Sequence, residues 1–451
     1  MRRMTLRTLA VSALVSCAAF AAPTKDAVFP YPMKVSTLKN GLTLVRVPFN
    51  SPGLIAYYTV VRVGSRNEVE AGHTGFAHFF EHMMFRGTKK WPEGRRGNML
   101  GKLGFVENAF TSDDITMYHL AGPSSGLEQL VDVEADRFQN LEYAEQAFQT
   151  EAKAVLGEYN KSAANPGLKI EETVAATAFT THTYRHTTLG FLEDIQAMPT
   201  RYEYSKQFFK RWYTPDNCLV FVVGDFDDAK LMALAEKAYG PWQGKAATVT
   251  VPAEPPQKEA RVAKVTWTNP TQPRTGFFWH TPAASLKAPD GAVQQVLAQY
   301  LFGQTSPLYK SLVLEKQLVE RLGPNYGDHR DANLFGVDAR LKDEAQRAAV
   351  EKAVLDEVAV VASGKVDARR LQDIKDNLKY GLLMGLETPD DVALQLAYPA
   401  GVLGAPDALD ATYRLLDKVS AKDLGAFAKK YLVDANKTTL VFQVDVKGGG
   451  K

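Results

Sequence analysis

Two histidines four residues apart, with a glutamate immediately before the second, form the chemically loaded stretch of this chain: His78-Phe79-Phe80-Glu81-His82. On a helix, positions i and i+4 lie one above the other on one face. Both imidazoles then reach a single metal ion, at about 2.0 Å from each nitrogen in a zinc site. Glu81 can direct its carboxylate to the side of the ion where a water would sit. This order reverses the commoner one, in which the glutamate follows the first histidine.

A catalytic zinc takes three protein ligands and keeps one open position. The third ligand is sought in Glu151-Ala-Lys-Ala-Val-Leu-Gly-Glu158, which reads as a helix with apolar Phe148, Val155 and Leu156 among charges. Glu151 and Glu158 stand two helical turns apart and share a face. One could hold metal while the other hydrogen-bonds a ligand histidine. Spacing alone does not say which. His182-Thr-Tyr-Arg-His186 repeats the histidine spacing, but it lacks an acid between the two and sits in a Thr-rich stretch that reads as loop. It is expected to be structural.

The elements that must position these groups belong to a chain of 451 residues, too long for one hydrophobic core. Hydrophobic residues make up 45% and charged residues 23%, the balance of a globular protein. A net charge of +2 gives no footprint for nucleic acid. The basic cluster Lys89, Lys90, Arg95 and Arg96 reads as a solvated loop. At the N-terminus Arg2, Arg3 and Arg7 precede an apolar run, Leu9 to Phe20, and Ala19-Phe20-Ala21 suits signal cleavage. The run is too short for a membrane span, and no later segment resembles one. A lipidated Cys17 after Leu14-Val15-Ser16 is the alternative. With Cys17 removed, Cys218 stands alone in an apolar run and reads as a buried strand residue. Periplasmic export follows from either N-terminal processing.

Asn40-Gly41 marks a turn before an alternating strand to Val47, and Ile55 to Val63 forms a second. Thr74 to Phe85 is the metal helix, apolar nearly all round and therefore buried. Gly104 to Ser112 and Ile115 to Leu120 read as a hairpin. Helices follow at Ser124–Asn140, Glu145–Ser162, Tyr202–Trp212 and Asp228–Tyr239, with a strand between the last two. Strands and helices in this mixed order indicate α+β layers. The Pro-rich stretch 246–262 reads as a linker, after which the pattern restarts. Phe209 and Tyr213 recur as Phe427 and Tyr431 at a constant offset of 218, with Asn and Leu-Val-Phe downstream in both copies. The second copy carries no histidine pair. The expected organisation is a signal segment 1–21, a metal-bearing domain 22–245, the linker, a homologous domain 263–447 without metal, and a disordered tail 448–451.

The residues resemble the pitrilysin/insulinase family of zinc peptidases, in the short form similar to mitochondrial processing peptidase subunits. The resemblance is carried by Gly75-Phe-Ala-His78 through Thr88, by Asn108-Ala-Phe-Thr111, by Glu151 to Glu158, and by Tyr213-Thr-Pro-Asp-Asn217 with Gly224-Asp225. The gap of 75 residues between His82 and Glu158 fits it too. It implies an α+β fold of two homologous α/β-roll domains, each a mainly antiparallel sheet with helices on one face, enclosing a chamber. It implies one zinc ion per chain on His78, His82 and Glu158, with Glu81 as general base and Glu151 as the acid behind the ligands. The strand with Asn108, Ala109 and Phe110 would bind extended peptide. One departure stands out: Pro307 and Val313 occupy positions where the family carries arginines. Arg321 and Tyr326, read as loop residues, do not keep the family spacing of its Arg/Tyr pair. The implied protein is a zinc endopeptidase whose homologous partner subunit supplies that pair. A non-catalytic scaffold subunit is the alternative.

Overall fold

The computed structural model describes residues 27–445. The expected signal segment, Cys17, the Ala21 cleavage position and the tail 448–451 lie outside the described residues.

Two sheets organise the chain. The first contains β1 (Lys34–Thr37), β2 (Thr43–Pro48), β3 (Leu54–Val61), β4 (Val106–Thr111), β5 (Thr116–Pro123) and β6 (Cys218–Gly224), in the order β1-β2-β6-β3-β5-β4. The second contains β7 (Arg261–Trp267), β8 (Arg274–Thr281), β9 (Val319–Asn325), β10 (Asn333–Leu341) and β11 (Lys437–Val444), in the order β7-β11-β8-β10-β9. In each sheet one pair is parallel, β2 with β6 and β7 with β11, and the rest are antiparallel. Apart from β1, the two orders correspond strand for strand. The α+β duplication expected from the sequence is present.

Its register differs by one residue from the expected offset. The helix Tyr202–Trp212 corresponds to Ala421–Tyr431, and the following turn Pro215–Asn217 to Asp434–Asn436. Asn217 Nδ2 donates to Trp212 O at 2.9 Å, and Asn436 Nδ2 donates to Tyr431 O at 2.8 Å. Trp212, not Tyr213, is therefore the partner of Tyr431, and the buried Phe208, not Phe209, matches Phe427. The helical face toward the core sets this alignment, which letter matching between adjacent aromatics missed.

On the first sheet, one face is covered by helices of its own half: α1 (Phe76–Met83), α2 (Glu93–Lys102), α3 (Leu127–Asn140) and α4 (Glu145–Ala163). The other face is covered by a helix of the second half, Pro389–Leu403, which packs on β3 and β6. The first half returns the exchange. Its α5 (Pro166–Ala178) lays Ile170 and Val174 against Ala263, Val265, Phe278, Leu440 and Phe442 of the second sheet. The reason is legible in β3 and β6, which are apolar at nearly every position. A strand of that kind needs cover on both faces, and each half has helices of its own for one.

The stretch 246–260 carries no regular structure, and β7 begins at Arg261. It is nonetheless fastened. The Glu254 carboxylate accepts from the backbone N–H groups of Thr180, Thr181 and His182, and Gln257 Nε2 donates to Lys437 O.

Two expectations are corrected. The basic cluster is not all solvated loop: Arg96 lies on α2, is 1% exposed, and pairs with Glu107 of β4 and Glu134 of α3. Two carboxylates converging on one guanidinium make its burial tolerable. Arg321 is not a loop residue either: it sits on β9 opposite Arg340, whereas Tyr326 begins the loop after that strand.

Candidate metal centre

Helix α1 starts at Gly75, whose φ of 87° and whose approach to Leu189 O suit only glycine. Glycine has no side chain to cap the helix. Glu68 does so from a distance, accepting from the N–H of Gly75 at 2.8 Å and of Ala77 at 2.7 Å. Burial pushes the Glu68 carboxyl up to about 8, against the pull of those backbone bonds. Phe76, Phe79, Phe80 and Met83 pack into the first-half core, which leaves His78, Glu81 and His82 toward α4 and β4.

Helix α4 buries Phe148, Ala152 and Val155 and offers Glu151 and Glu158 to α1. Glu158 Oε2 lies 3.6 Å from His78 Nε2 and 3.3 Å from His82 Nε2. Among the described residues, these three side chains form the group able to hold a metal ion, with all donor atoms within 4.8 Å of one another. A tetrahedral zinc site with bonds of about 2.0–2.1 Å sets neighbouring donors about 3.3 Å apart. The donor types and the spacing fit such an ion.

Protonation fits as well. Burial pulls the His78 imidazole down to about 4, so it is neutral at pH 7, as a ligand must be. His82 Nδ1–H donates to Glu151 Oε1 at 2.8 Å, which turns Nε2 toward Glu158 as the free lone pair. That bond also raises the His82 pKa. Burial pushes Glu151 up, but hydrogen bonds from His82 and Arg86 outweigh it and leave the carboxyl below its ordinary range. Arg86 Nε reaches Glu151 Oε2 at 2.6 Å.

Glu81 accepts from Thr111 Oγ1 at 2.6 Å. Burial raises its carboxyl above the ordinary range, against that bond. Asn108, Ala109 and Phe110 lie on β4, the terminal strand of its sheet. Ala109 N–H is held by Asn108 Oδ1 at 2.9 Å, and the Phe110 ring stacks 6.4 Å from Tyr398. His182 and His186 stand apart from the metal group; His182 Nε2 bonds Asp331 at 2.9 Å. Sequence reasoning missed Glu68, Arg86 and Thr111 as supports. Arg86 carried a signal, since it follows His82 by one helical turn. Glu68 carried none.

Two family models match the chain: insulinase, peptidase family M16, over residues 56–190, and the peptidase M16 inactive domain over residues 201–378. The zinc protease PqqE of Helicobacter pylori is 29% identical over 410 residues, which covers 90% of this chain and 91% of that protein. A probable mitochondrial-processing peptidase subunit beta of Arabidopsis thaliana is 23% identical over 89% of this chain and 76% of that protein. The solved structure of a Helicobacter pylori protease superposes with a TM-score of 0.84 at 28% identity, covering 92% of this chain and 99% of that one. A peptidase M16 inactive domain from Pseudomonas fluorescens shares the fold at a TM-score of 0.79 and 15% identity, covering 93% and 100% of the two chains. With both of its halves matched in order and one fold spanning them, the chain belongs to the insulinase family of peptidases, M16.

Proposed function

We propose that this protein is a zinc-dependent endopeptidase acting on extended peptides, with His78, His82 and Glu158 as metal ligands and Glu81 as general base. The observation that carries it is the convergence of His78 Nε2, His82 Nε2 and Glu158 Oε2 next to a carboxylate held in place by Thr111. The zinc-protease names of its relatives support the choice of metal. When bound, zinc supplies Lewis-acid polarisation and makes water more acidic. Glu81 takes a proton from the attacking water and delivers it to the departing amine nitrogen. Its raised pKa suits both directions of transfer. Glu151 orients His82 through Nδ1–H and keeps Nε2 as the donor.

Asn108, Ala109 and Phe110 bind the substrate backbone at the outer edge of β4. Adding a strand there uses main-chain hydrogen bonds, which tolerate many sequences. The local bond from Ala109 N–H to Asn108 Oδ1 is one that a peptide carbonyl can replace. The domain limits are 22–245 and 263–447. The leader-like N-terminus directs the protein to the periplasm.

The protein works as the metal-bearing subunit of a heterodimer, with the homologous partner supplying an Arg/Tyr pair. Pro307 opens a helical turn and Val313 packs against the second-half core, so neither position offers a cation. The test is zinc content together with hydrolysis of a fluorogenic peptide, for wild type and Glu81→Gln, each with and without the homologous subunit. One zinc per chain in both proteins, with turnover in wild type alone and strongest with the partner, is expected. Full turnover in Glu81→Gln refutes the base, and full turnover without the partner refutes the pairing.

A further inference from the structure

The second half of the chain opens a crevice of about 390 Å³. That size falls in the range of pockets that enclose a ligand group. Its walls are the rings of Tyr326, Tyr398 and Tyr413 with aliphatic surface from Leu394. Asp328 is the charged side chain of the lining; among the described residues no lysine, arginine or histidine lines it. No hydrogen bond or ion pair from the described residues engages the Asp328 carboxylate. Burial pushes this carboxyl up, opposed by the charge of His329.

The crevice adjoins the peptide edge through Tyr398, whose ring stacks on Phe110 of β4. Successive residues of a strand point to opposite faces of the sheet. Thr111 faces α1 and bonds Glu81, so Phe110 faces the second half. A peptide added to β4 divides its side chains in the same way. One set lies over the metal ligands, and the alternate set is directed toward Tyr398 and the crevice.

We infer that this crevice is a side-chain subsite for a lysine or arginine of the bound peptide, with Asp328 as the charge partner and the tyrosine rings as the walls. The inference rests on the peptidase reading above. An apolar occupant would strip water from the Asp328 carboxylate and leave it unpaired, at a cost. A cationic one pairs with it and gains attraction from the ring faces. Among the described residues no basic side chain lines the crevice, and the neighbouring His329 ring is turned to Asp113 and Asp114.

The test uses a peptide series identical except at one scanned position, which holds Arg, Lys, Met or Gln. Wild type is expected to cleave the Arg and Lys members with kcat/KM about tenfold above the Met member, a difference of about 1.4 kcal/mol. Asp328→Asn, which keeps the shape, should erase that preference and leave the Met peptide unaffected. Gln395→Lys, a change on an exposed wall position, should erase it as well. A basic preference that survives in both variants, or one that never appears in wild type, overturns the subsite while leaving the peptidase intact. If no peptide is cleaved even with the homologous subunit present, the peptidase reading fails instead. Fluorescence anisotropy of the labelled Arg peptide then decides the subsite: affinity lost in Asp328→Asn supports it, and equal affinity overturns it.

Discussion

Thr111 Oγ1 donates to Glu81 Oε2 at 2.6 Å, tying the edge strand β4 to the metal helix α1 at the proposed base. In the proposed mechanism, peptide docking and proton transfer share this hydrogen bond. Thr111→Val keeps the shape and removes the donor. The expected outcome is a kcat lower by about tenfold, in the range of one lost hydrogen bond to a charged group, with zinc content unchanged. Steady-state kinetics alongside metal analysis check it, and a variant with unaltered kcat would show that Glu81 needs no such support.

Glu151 holds His82 with one oxygen and Arg86 with the other. Glu151→Gln keeps the size but removes the charge that both partners answer. Zinc affinity is expected to drop by about 10–100-fold, the usual consequence of altering a group behind a ligand histidine. Competition with a chelating dye measures it.

Asp331 of the second half takes Arg66 Nε at 2.6 Å and His182 Nε2 at 2.9 Å from the first. Burial raises its carboxyl, but the hydrogen bonds and charges of His182 and Arg66 outweigh it and hold the group below the ordinary carboxylate range. A carboxyl depressed in the folded state stabilises that state above its unfolded pKa, about 4. The stabilisation is lost as pH falls below that value toward the folded pKa. Asp331→Asn should therefore lower the melting temperature at pH 7 and differ less and less from wild type as the pH drops below about 4. Thermal melts of both proteins across pH give the difference directly.

Gly401 sits where the helix Pro389–Leu403 crosses β3. A Cβ there would come within 2.6 Å of Val60 Cγ1 and 3.1 Å of Ile115 Cγ2. Both neighbours are fully buried and have no room to retreat. Gly401→Ala is expected to cost about 1–3 kcal/mol, as overpacking does. A melting temperature equal to that of wild type would mean that the two halves slide more freely than their packing suggests.

Much of the site was legible because helical geometry is local. Four residues make one turn, so His78 and His82 share a face wherever the helix goes, and Glu151 and Glu158 do so on α4. The hairpin of β4 and β5 was legible for the same kind of reason, as period-two patterns around Ser112-Asp113-Asp114. Which glutamate approaches the histidines was not a local matter. It depends on how α4 docks on α1, and there Glu158 comes to lie near both Nε2 atoms while Glu151 is drawn to Nδ1 of His82 and to Arg86.

Arg96 shows the same limit from the other side. In sequence it belongs to a run of basic residues, and nothing nearby hints that Glu107 and Glu134 will meet it in the interior. The repeat was visible in recurring aromatic residues, yet its true register emerged only from which aromatic faces the core, Phe208 or Phe209.

By itself, then, the chain's residue order determined the helix of the histidine pair, the Glu151–Glu158 helix, the β4–β5 hairpin and the duplication, because each arises from side chains within a few turns of one another or from a recurring pattern. Tertiary structure decided the exchange of α5 for Pro389–Leu403, the partners of Arg96 and Asp331, and the crevice beside Phe110. Those depend on contacts between separate elements, 11 and 38 positions apart for Arg96 and 149 and 265 for Asp331, whose meeting is set by how the elements dock on one another.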